Sequence, residues 1–491
     1  MPTFTEPSGS VGFHAGRGGV YVHPSRPAPL LALSSELLDI ILSHLDAVDL
    51  ASLSATNRKL RSHATSEYHW QRCVQENVPG QKVTKTGLCA SFRDLYIALE
   101  LLWFLPKHKI WFCDRDLTGK MIIVRFDQRR GCIEGHQLLA VSNRATQHWP
   151  AEGQIIIHEF DPKVKLHLDK PVLRFHAREM RRDRYRGSFV DEMPMTLGYG
   201  AGMVFSNLLL ARPLKPWIAE DKMAAGYPYG RVWPPPAVPA RHRVSGARPG
   251  RASVDLSSHD RPWSKRQVSD QTFRIRQWFE LAGSPIPAGM LGQWTVAGYM
   301  QGSMGATATH LADEVSTYST IDAELYTPTE TKPWRGIWVG DYSGHGCEFL
   351  LINQPDDEPV SDRELGLWRG ERETDEAWQK RQRDARIFRG RLEAIKLTGD
   401  PNVPRGEFTF VAEDLGPDGL VGTASDAPFL EARGARVVRC KGHVAGMGFV
   451  DDKYMESKLL LISHDRLAQY WVEFGHISFF QRVQLDKLLV P

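Results

Sequence analysis

Apolar residues at helical spacing mark the first folded region of the chain. They recur every three or four positions, as on the buried face of an α-helix, and the stripe comprises Leu37, Leu38, Ile41, Leu42 and Leu45. Ser34 is placed to cap this helix, a shorter apolar segment follows at residues 50–53, and two further helices are expected at residues 57–64 and 66–77. The pattern predicts a small all-α unit over residues 30–78.

The spacing of the apolar residues changes after residue 106. A helix is predicted over Ser91–Phe104, ended by Pro106, within a helical linker at residues 79–106. Beyond it, runs of β-branched and aromatic residues alternate with turn sequences such as DLTG and RRGC, which is typical of β-hairpins. The same pattern returns at Trp334 and continues to the end of the chain. The expected fold is α+β, with a large antiparallel β barrel or sandwich over residues 107–491.

Several stretches fit this scheme poorly. Residues 1–29 and 226–266 are rich in Gly and Pro, and are predicted to be a disordered tail and a disordered loop insertion. Residues 355–386 carry many charges of both signs and are predicted to be a second surface insertion, partly helical. A short helix is expected over Thr272–Leu281, and residues 290–312 have no assigned place among the strands.

Composition narrows the classes of function. The chain has 491 residues, 42% of them hydrophobic, which suits two or three domains. A net charge of +3 is too weak a field to predict nucleic acid as the main partner. The six cysteines form no Cys-x-x-Cys pair, and no apolar run is long enough for a signal peptide or a membrane helix. We therefore expect a protein of the cytosol or nucleus.

Signals of catalysis or of a bound cofactor are weak. The spacing of His345, Glu348, His443, His464 and His476 matches no zinc signature. The glycine-rich GYGAGM at residues 198–203 lacks the G-x-G-x-x-G spacing, and no G-x-S-x-G motif occurs. The sequence predicts no catalytic residue, no metal and no cofactor.

The helical unit resembles the F-box family. It carries the pattern L-x-L-x-x-E-L-L-x-x-I-L-x-x-L, then D-L-x-x-L-x-x-x-N-x-x-L, then Y-H-W, although Ser34 stands where the family usually has proline. The resemblance implies that the unit docks a Skp adaptor and, through it, a cullin and a RING protein. The residues expected at that contact are Leu33, Leu37, Leu38, Ile41, Leu45, Leu50, Leu53 and Trp70. Packing of the same apolar residues on the chain's own β domain is the alternative.

The β-rich region resembles the C-terminal domain of F-box proteins of the cyclin-D-binding type. The segments that carry the resemblance lie between Trp334 and Val483 and include GDYSGHGCE, KLTGDPN, GHVAGMGF and LISHDRLAQYWVEFGHISFF. It implies a domain that holds the degron of a protein substrate for a ubiquitin ligase, and the family's name indicates a cyclin-like substrate. The residues expected at that contact are Tyr342, His345, Glu348, Asp400, Asn402 and Trp471.

Structural roles compete with binding roles at each of these positions. Within TGDPN, Gly399 permits positive φ and Asp400 can accept hydrogen bonds from nearby amides, so this segment suits a turn as well as a degron contact. Tyr342 and His345 either close a hairpin or line a binding site, and Trp471 is either core or contact. The predicted function is that of a non-catalytic substrate receptor of an SCF-type ubiquitin ligase. A non-ligase F-box scaffold and a small-molecule-binding β barrel remain as alternatives.

Overall fold

The structure is a computed structural model of the chain. It describes residues 29–113, 118–141, 146–148, 156–158, 160–184, 189–195, 197, 204–213, 261–279, 311–342, 346–356, 358–424 and 432–491. The chain divides into two compact units, with the boundary between Trp70 and Gln71. Residues 1–28 of the predicted tail 1–29, most of the predicted loop 226–266, GYGAGM and nearly all of residues 290–312 lie outside the described residues.

The first unit contains short helices that begin at side-chain caps. Ser34, Asp46 and Asn57 each accept a hydrogen bond from a backbone amide of the first turn that follows. The cap at Ser34 shows how serine replaces the usual proline at this position. A 3₁₀ turn at Pro29–Ala32 precedes α1 (Ser35–Leu42), α2 (Ala47–Ser54), α3 (Arg58–Ala64) and α4 (Glu67–Gln75), which continues into the second unit.

The predicted helix over Ser91–Phe104 is two helices. The structure has α5 at Phe92–Ala98 and α6 at Phe104–His108, separated by turns. Pro106 lies inside α6 and does not end it, because a proline in the first turn of a helix loses no intrahelical hydrogen bond. A seventh helix, α7, follows the first strands at Ala177–Arg184.

The first β layer is an open antiparallel sheet of eight strands in the order β6-β3-β2-β1-β10-β9-β8-β7. Most neighbours in this order are also neighbours in sequence, as expected for hairpins. The strands are β1 (Ile110–Cys113), β2 (Lys120–Asp127), β3 (Cys132–Val141), β6 (Lys163–His176), β7 (Glu192–Pro194), β8 (Val204–Leu210), β9 (Thr272–Phe279) and β10 (Leu311–Ser319).

Strand β9 replaces the short helix expected over Thr272–Leu281. Phe273 and Ile275 alternate with Arg274 and Arg276, which is the period of a strand, and β9 pairs on both sides with β8 and β10. The prediction was wrong because the run is short, and tertiary pairing decides such cases. Strand β10 was also missed, since the alternating pattern was expected to resume only at Trp334.

The second β layer contains a closed barrel of eight antiparallel strands. Its order is β11-β12-β13-β14-β16-β17-β18-β19, and pairing of β19 with β11 closes the ring. Strand β15 attaches to β16, while β5 pairs in parallel with β19 and carries β4. The strands are β4 (Thr146–His148), β5 (Ile156–His158), β11 (Gly336–Asp341), β12 (Cys347–Asn353), β13 (Leu392–Lys396), β14 (Phe408–Ala412), β15 (Leu420–Thr423), β16 (Arg436–Gly446), β17 (Val450–Ser463), β18 (Arg466–Trp471) and β19 (His476–Arg482).

Alternation along the barrel strands creates two cores. Inward side chains such as Trp338, Phe410 and Phe480 fill the barrel, and the rings of Phe410 and Phe480 lie 5.1 Å apart. Outward side chains such as Ile337 and Leu351 pack in a second cluster with residues of the open sheet. An eight-stranded barrel has room for side chains in its interior, and here aromatic rings occupy it.

The charged segment between β12 and β13 is partly helical, in agreement with the prediction for residues 355–386. It contains α8 (Asp375–Ile387), which begins at the cap Thr374 and has no buried residue. A last helix, α9, lies at Asp486–Leu489. Among the described residues, no helix combines the length and apolar character needed to cross a membrane.

Candidate functional site

One face of α1 exposes large apolar side chains. Leu37, Ile40 and Ile41 are 49%, 58% and 42% exposed. Their spacing of three and four residues puts them on the same side of the helix. Exposed apolar side chains grouped in this way are typical of a protein-binding surface.

The eight predicted adaptor contacts differ in exposure. Leu37 and Ile41 are exposed, while Leu33, Leu45 and Leu53 are partly buried. Leu38, Leu50 and Trp70 are buried, and the Trp70 indole donates a hydrogen bond to the Ala64 carbonyl. These three side chains support the fold of the unit, so Leu37 and Ile41 remain the direct contact candidates, together with Ile40, which the sequence analysis omitted.

A polar cluster lies inside one end of the barrel. The Lys396 ammonium lies 2.5 Å from Asp400 Oδ2 and 2.8 Å from Glu348 Oε2. Lys396 Nζ is 4.6 Å from the ring centroid of Tyr342, whose hydroxyl is 2.7 Å from Thr409 Oγ1. The structure thus brings together three of the predicted substrate-binding residues around a lysine that was not predicted.

The cluster holds its two acids in different protonation states. Burial raises the pKa of Glu348 to about 8, although Lys396 opposes the rise. Burial also disfavours ionisation of Asp400, but the Lys396 ammonium and the hydrogen bond from the Val403 amide outweigh it and lower the pKa of Asp400 to about 2. Near pH 7 the cluster therefore contains one ammonium, one carboxylate and one carboxylic acid, and is neutral overall.

Glu348 has hydrogen-bonding capacity to spare. Its 2.8 Å contact with Lys396 lacks hydrogen-bond geometry, and neither carboxyl oxygen accepts a hydrogen bond from the described residues. The side-chain oxygen of Gln469, also inside the barrel, likewise accepts no hydrogen bond from the described residues. Buried polar atoms usually have partners, so this end of the barrel is where a bound group could supply them.

The TGDPN segment is a turn that Asp400 organises. Asp400 Oδ1 accepts hydrogen bonds from the amides of Asn402 and Val403 at 2.6 and 2.7 Å. Position 399 requires glycine because there is no room for a side chain: an added Cβ would lie 2.3 Å from the backbone nitrogen of Arg405. The backbone φ of Gly399 is not in the positive region that was expected. The Asn402 side chain donates to the Ala445 carbonyl. Asp400 thus performs the structural role and also belongs to the polar cluster.

The remaining predicted residues occupy different surroundings. Trp471 is buried, with its ring against Gly442, so it serves as core at this end of the barrel. His345 lies outside the described residues. In the same hairpin Gly346 has a φ of +85°, which explains the glycine there.

Apolar side chains are exposed at the same end of the barrel. Register places the β16–β17 hairpin and the β18–β19 turn next to the TGDPN turn. Met447 and Val450 in the hairpin and Val472 and Phe474 in the turn are all exposed. The polar cluster is therefore bordered by exposed apolar residues, a combination suited to binding a peptide segment.

Lys396 was not predicted as a site residue, because a single lysine in the apolar run LEAIK resembles a surface residue. Its spacing of four residues before Asp400 was the available signal. No group of three or more His, Cys, Asp or Glu suited to a metal ion occurs among the described residues.

Comparison with known proteins identifies both regions. Residues 30–72 match the family model for the F-box domain, and residues 318–487 match the model for the cyclin D1 binding domain. The chain thus carries an F-box domain followed by a cyclin D1 binding domain, as the resemblances predicted. The F-box domain indicates an SCF-type adaptor-binding role, and the second domain indicates protein interaction.

The chain is also similar to curated plant proteins over part of its length. Protein EXECUTER 2, chloroplastic, of Arabidopsis thaliana is 28% identical over 159 residues, which cover 32% of this chain and 22% of that protein. Protein EXECUTER 1, chloroplastic, of the same plant is 24% identical over 167 residues, covering 31% and 21%. The chain spans about a fifth of the length of the curated relatives it matches.

Proposed function

We propose that this chain is the substrate-recognition subunit of an SCF-type ubiquitin ligase. Its F-box helices dock a Skp adaptor, which links the chain to a cullin and a RING protein. The cyclin D1 binding domain holds a degron of a protein substrate. The chain performs no chemistry of its own and acts by raising the effective concentration of substrate lysines near a charged conjugating enzyme. Such a subunit works in the cytosol or nucleus.

The observation that carries the proposal is the exposed apolar face of α1 within residues that match the F-box domain. Leu37, Ile40 and Ile41 stay in contact with water unless a partner covers them. Covering the exposed half of each of these side chains gains roughly 1 kcal/mol. An adaptor with an apolar groove therefore has a strong reason to bind here.

The end of the barrel supports the substrate-binding part of the proposal. Glu348 and Gln469 offer buried hydrogen-bonding atoms, and Met447 and Phe474 offer exposed apolar area. The small-molecule alternative draws little support from the barrel, because Trp338, Phe410 and Phe480 fill its middle. A peptide that engages one end of the barrel suits this arrangement better than an enclosed ligand.

A capture experiment with two variants tests the proposal. In the full-length protein, Leu37→Asp/Ile41→Asp should abolish copurification of a Skp adaptor, because it places two charges on the apolar face. The control Ala51→Asp/Ala55→Asp changes the charge equally at two exposed positions four residues apart, one on α2 and one at its C-cap, and should leave capture unchanged. Equal adaptor capture by wild type and the α1 variant would refute the proposal.

The second variant distinguishes binding at the end of the barrel from adaptor binding at α1. Asp400→Asn removes the charge that pairs with Lys396 but keeps a side-chain oxygen for the turn amides. Mass spectrometry of captured proteins should show loss of one partner set with the adaptor retained. Partners that are captured but neither ubiquitinated nor stabilised on deletion of the gene would favour the scaffold alternative.

A further inference from the structure

Strands β16 and β17 extend beyond the barrel as a two-stranded ribbon, residues 443–454. Pairing of β16 with β14 ends at Gly442, and pairing of β17 with β18 begins only at Ser457. Within the ribbon the two strands pair with each other, as at His443 and Tyr454. Strand pairing with β14 and β18 therefore does not fix the position of the ribbon, which depends on other contacts.

The tip of the ribbon adopts a strained backbone. Phe449 and Asp451 have φ values of 58° and 52°, a left-handed conformation that residues other than glycine rarely adopt. Two such residues in one turn persist only where the surroundings hold them. Hydrogen bonds from Gly448 N to Pro401 O and from Asn402 Nδ2 to Ala445 O provide part of that hold.

His443 provides another part, from a buried position at the base of the ribbon. Its Nδ1 is 2.9 Å from the Phe408 carbonyl oxygen on β14, and its Nε2 is 3.0 Å from Asp452 Oδ2 on β17. The Tyr454 ring stacks on the imidazole at 4.4 Å, and Phe449 contacts it edge-on. Both ring nitrogens therefore face oxygen atoms that can only accept.

A neutral imidazole cannot satisfy both contacts, because it has one N–H and one lone pair. An imidazolium donates to both oxygens at once, and its bond to the carboxylate is the stronger kind that joins two charged groups. We infer that His443, as an imidazolium, is a latch that fixes the ribbon against the barrel.

Loss of the proton should open the latch at one particular bond. The Phe408 carbonyl belongs to a barrel strand and is fixed, whereas the Asp452 side chain is half exposed and can turn to water. When the Nε2 proton passes to solvent, a lone pair faces the carboxylate and the two repel. The Nδ1–H bond to Phe408 remains, and the Asp452 side of the ribbon is released.

The charges around the latch define how it should respond to pH. Asp452 and Tyr454 face His443 from β17, and the Phe408 carbonyl faces it from β14. The guanidinium of Arg391, the residue before β13, lies 5.7 Å from the centroid of the Phe408 ring. Histidines exchange protons between about pH 5 and 8. The latch is closed while the imidazole holds both protons, and it opens when rising pH removes one of them.

The latch bears on binding through the TGDPN turn. Asn402 and Pro401 are bonded to the ribbon, and Asp400 of the same turn is part of the polar cluster. That consequence rests on the proposed function, whereas the latch itself does not. The test therefore measures the ribbon directly and needs no substrate.

Hydrogen exchange of the full-length protein, corrected for the intrinsic effect of pH, tests the latch. In the wild type, protection of the amides of residues 444–453 should fall about tenfold between pH 5.5 and 8, as expected for the loss of one charge-assisted hydrogen bond. In Asp452→Asn the fall should disappear, because the amide donates to the Nε2 lone pair of a neutral His443. His443→Gln should likewise remove the pH dependence.

Two controls make the result specific to the latch. Asp451→Asn changes the same charge at the neighbouring exposed position and should keep the wild-type response. Amides of Leu350–Ile352 in β12 report on the barrel itself and should stay constant. The inference fails if wild-type protection does not change, if Asp452→Asn responds as the wild type does, or if the barrel amides change in parallel.

Discussion

Glu348 is an acidic side chain that lies beside a lysine and is still mostly protonated near pH 7. Burial raises its pKa to about 8, since the ammonium of Lys396 is shared with Asp400. A glutamate in an unfolded chain has a pKa of about 4.3. The folded protein therefore binds a proton that the unfolded chain releases, and Glu348 contributes stability below about pH 4 that is lost as pH rises through 8.

Replacing Glu348 by glutamine should weaken this pH dependence. The free energy of unfolding, measured in urea, should fall less between pH 5.5 and 8.5 in Glu348→Gln than in the wild type, because glutamine cannot ionise. Glu393, whose pKa burial also raises to about 8, should leave a residual fall. The exposed control Glu473→Gln should follow the wild type. A Glu348→Gln curve parallel to the wild type would contradict the assignment.

Single residues also show where sequence analysis stops. Asp400 was predicted both as a turn residue and as a contact, and its turn bonds and its place in the cluster agree with that dual expectation. Lys396 was missed, because its neighbours across the barrel come from different strands. Which residue a buried charge meets depends on packing, and no local pattern encodes it.

Among the elements, α8 is a helix that local sequence alone accounts for. Thr374 caps it, Asp375 and Glu376 lie in its first turn, and Arg386 lies in its last, in agreement with the helix dipole. Its contacts with the preceding loop are polar, such as those of Asp362 with Gln382 and Arg386. No residue of α8 is fully buried, and Ile387, which packs partly buried against the barrel core, lies at its C-terminal end. The first turns of α8 should therefore be stable independently of the cores.

Removing the cap should therefore destabilise only α8. Thr374→Ala should cost about 1 kcal/mol in the helix, which lowers amide protection over Asp375–Ile387 about fivefold. The urea midpoint of the whole protein should not change. Thr374→Ser, which keeps the capping oxygen, is the matched control, and a shift of the global midpoint in Thr374→Ala would show that α8 does contribute to the folded core.

Hairpins were the elements best predicted from sequence. Strands β11 with β12 and β17 with β18 lie where alternation and turn residues placed them. The helix over Ser91–Phe104 was broken in two and β9 was mistaken for a helix, because both segments are short and apolar. Their final form depends on pairing and packing, which a local pattern cannot supply.

At the scale of the whole molecule, the closure of the barrel was beyond prediction. The β11–β19 pair joins Trp338 to Arg482, and nothing in either sequence indicates the other. Closure buries the rings of Trp338, Phe410 and Phe480 in one core. The stability of the barrel should depend strongly on each of them.

Loss of one interior ring tests this dependence. Phe410→Ala should reduce the free energy of unfolding by about 3–5 kcal/mol, because it leaves a cavity that surrounding strands cannot close. Phe474→Ala removes the same ring from an exposed position and should cost no more than about 1 kcal/mol. Urea unfolding followed by tryptophan fluorescence measures both, and equal losses would argue against a packed barrel interior.

The β19 strand also imposes an order on synthesis. Its first residues pair with β5 and its last with β11, so one late strand completes both junctions. Until residues 476–482 leave the ribosome, β11 and β18 each have an unpaired edge, and such edges are prone to pair with other chains. Contacts so distant in sequence also form slowly. The nascent domain thus passes through a vulnerable interval that only its last strand ends, and chaperones have the most to protect during that interval.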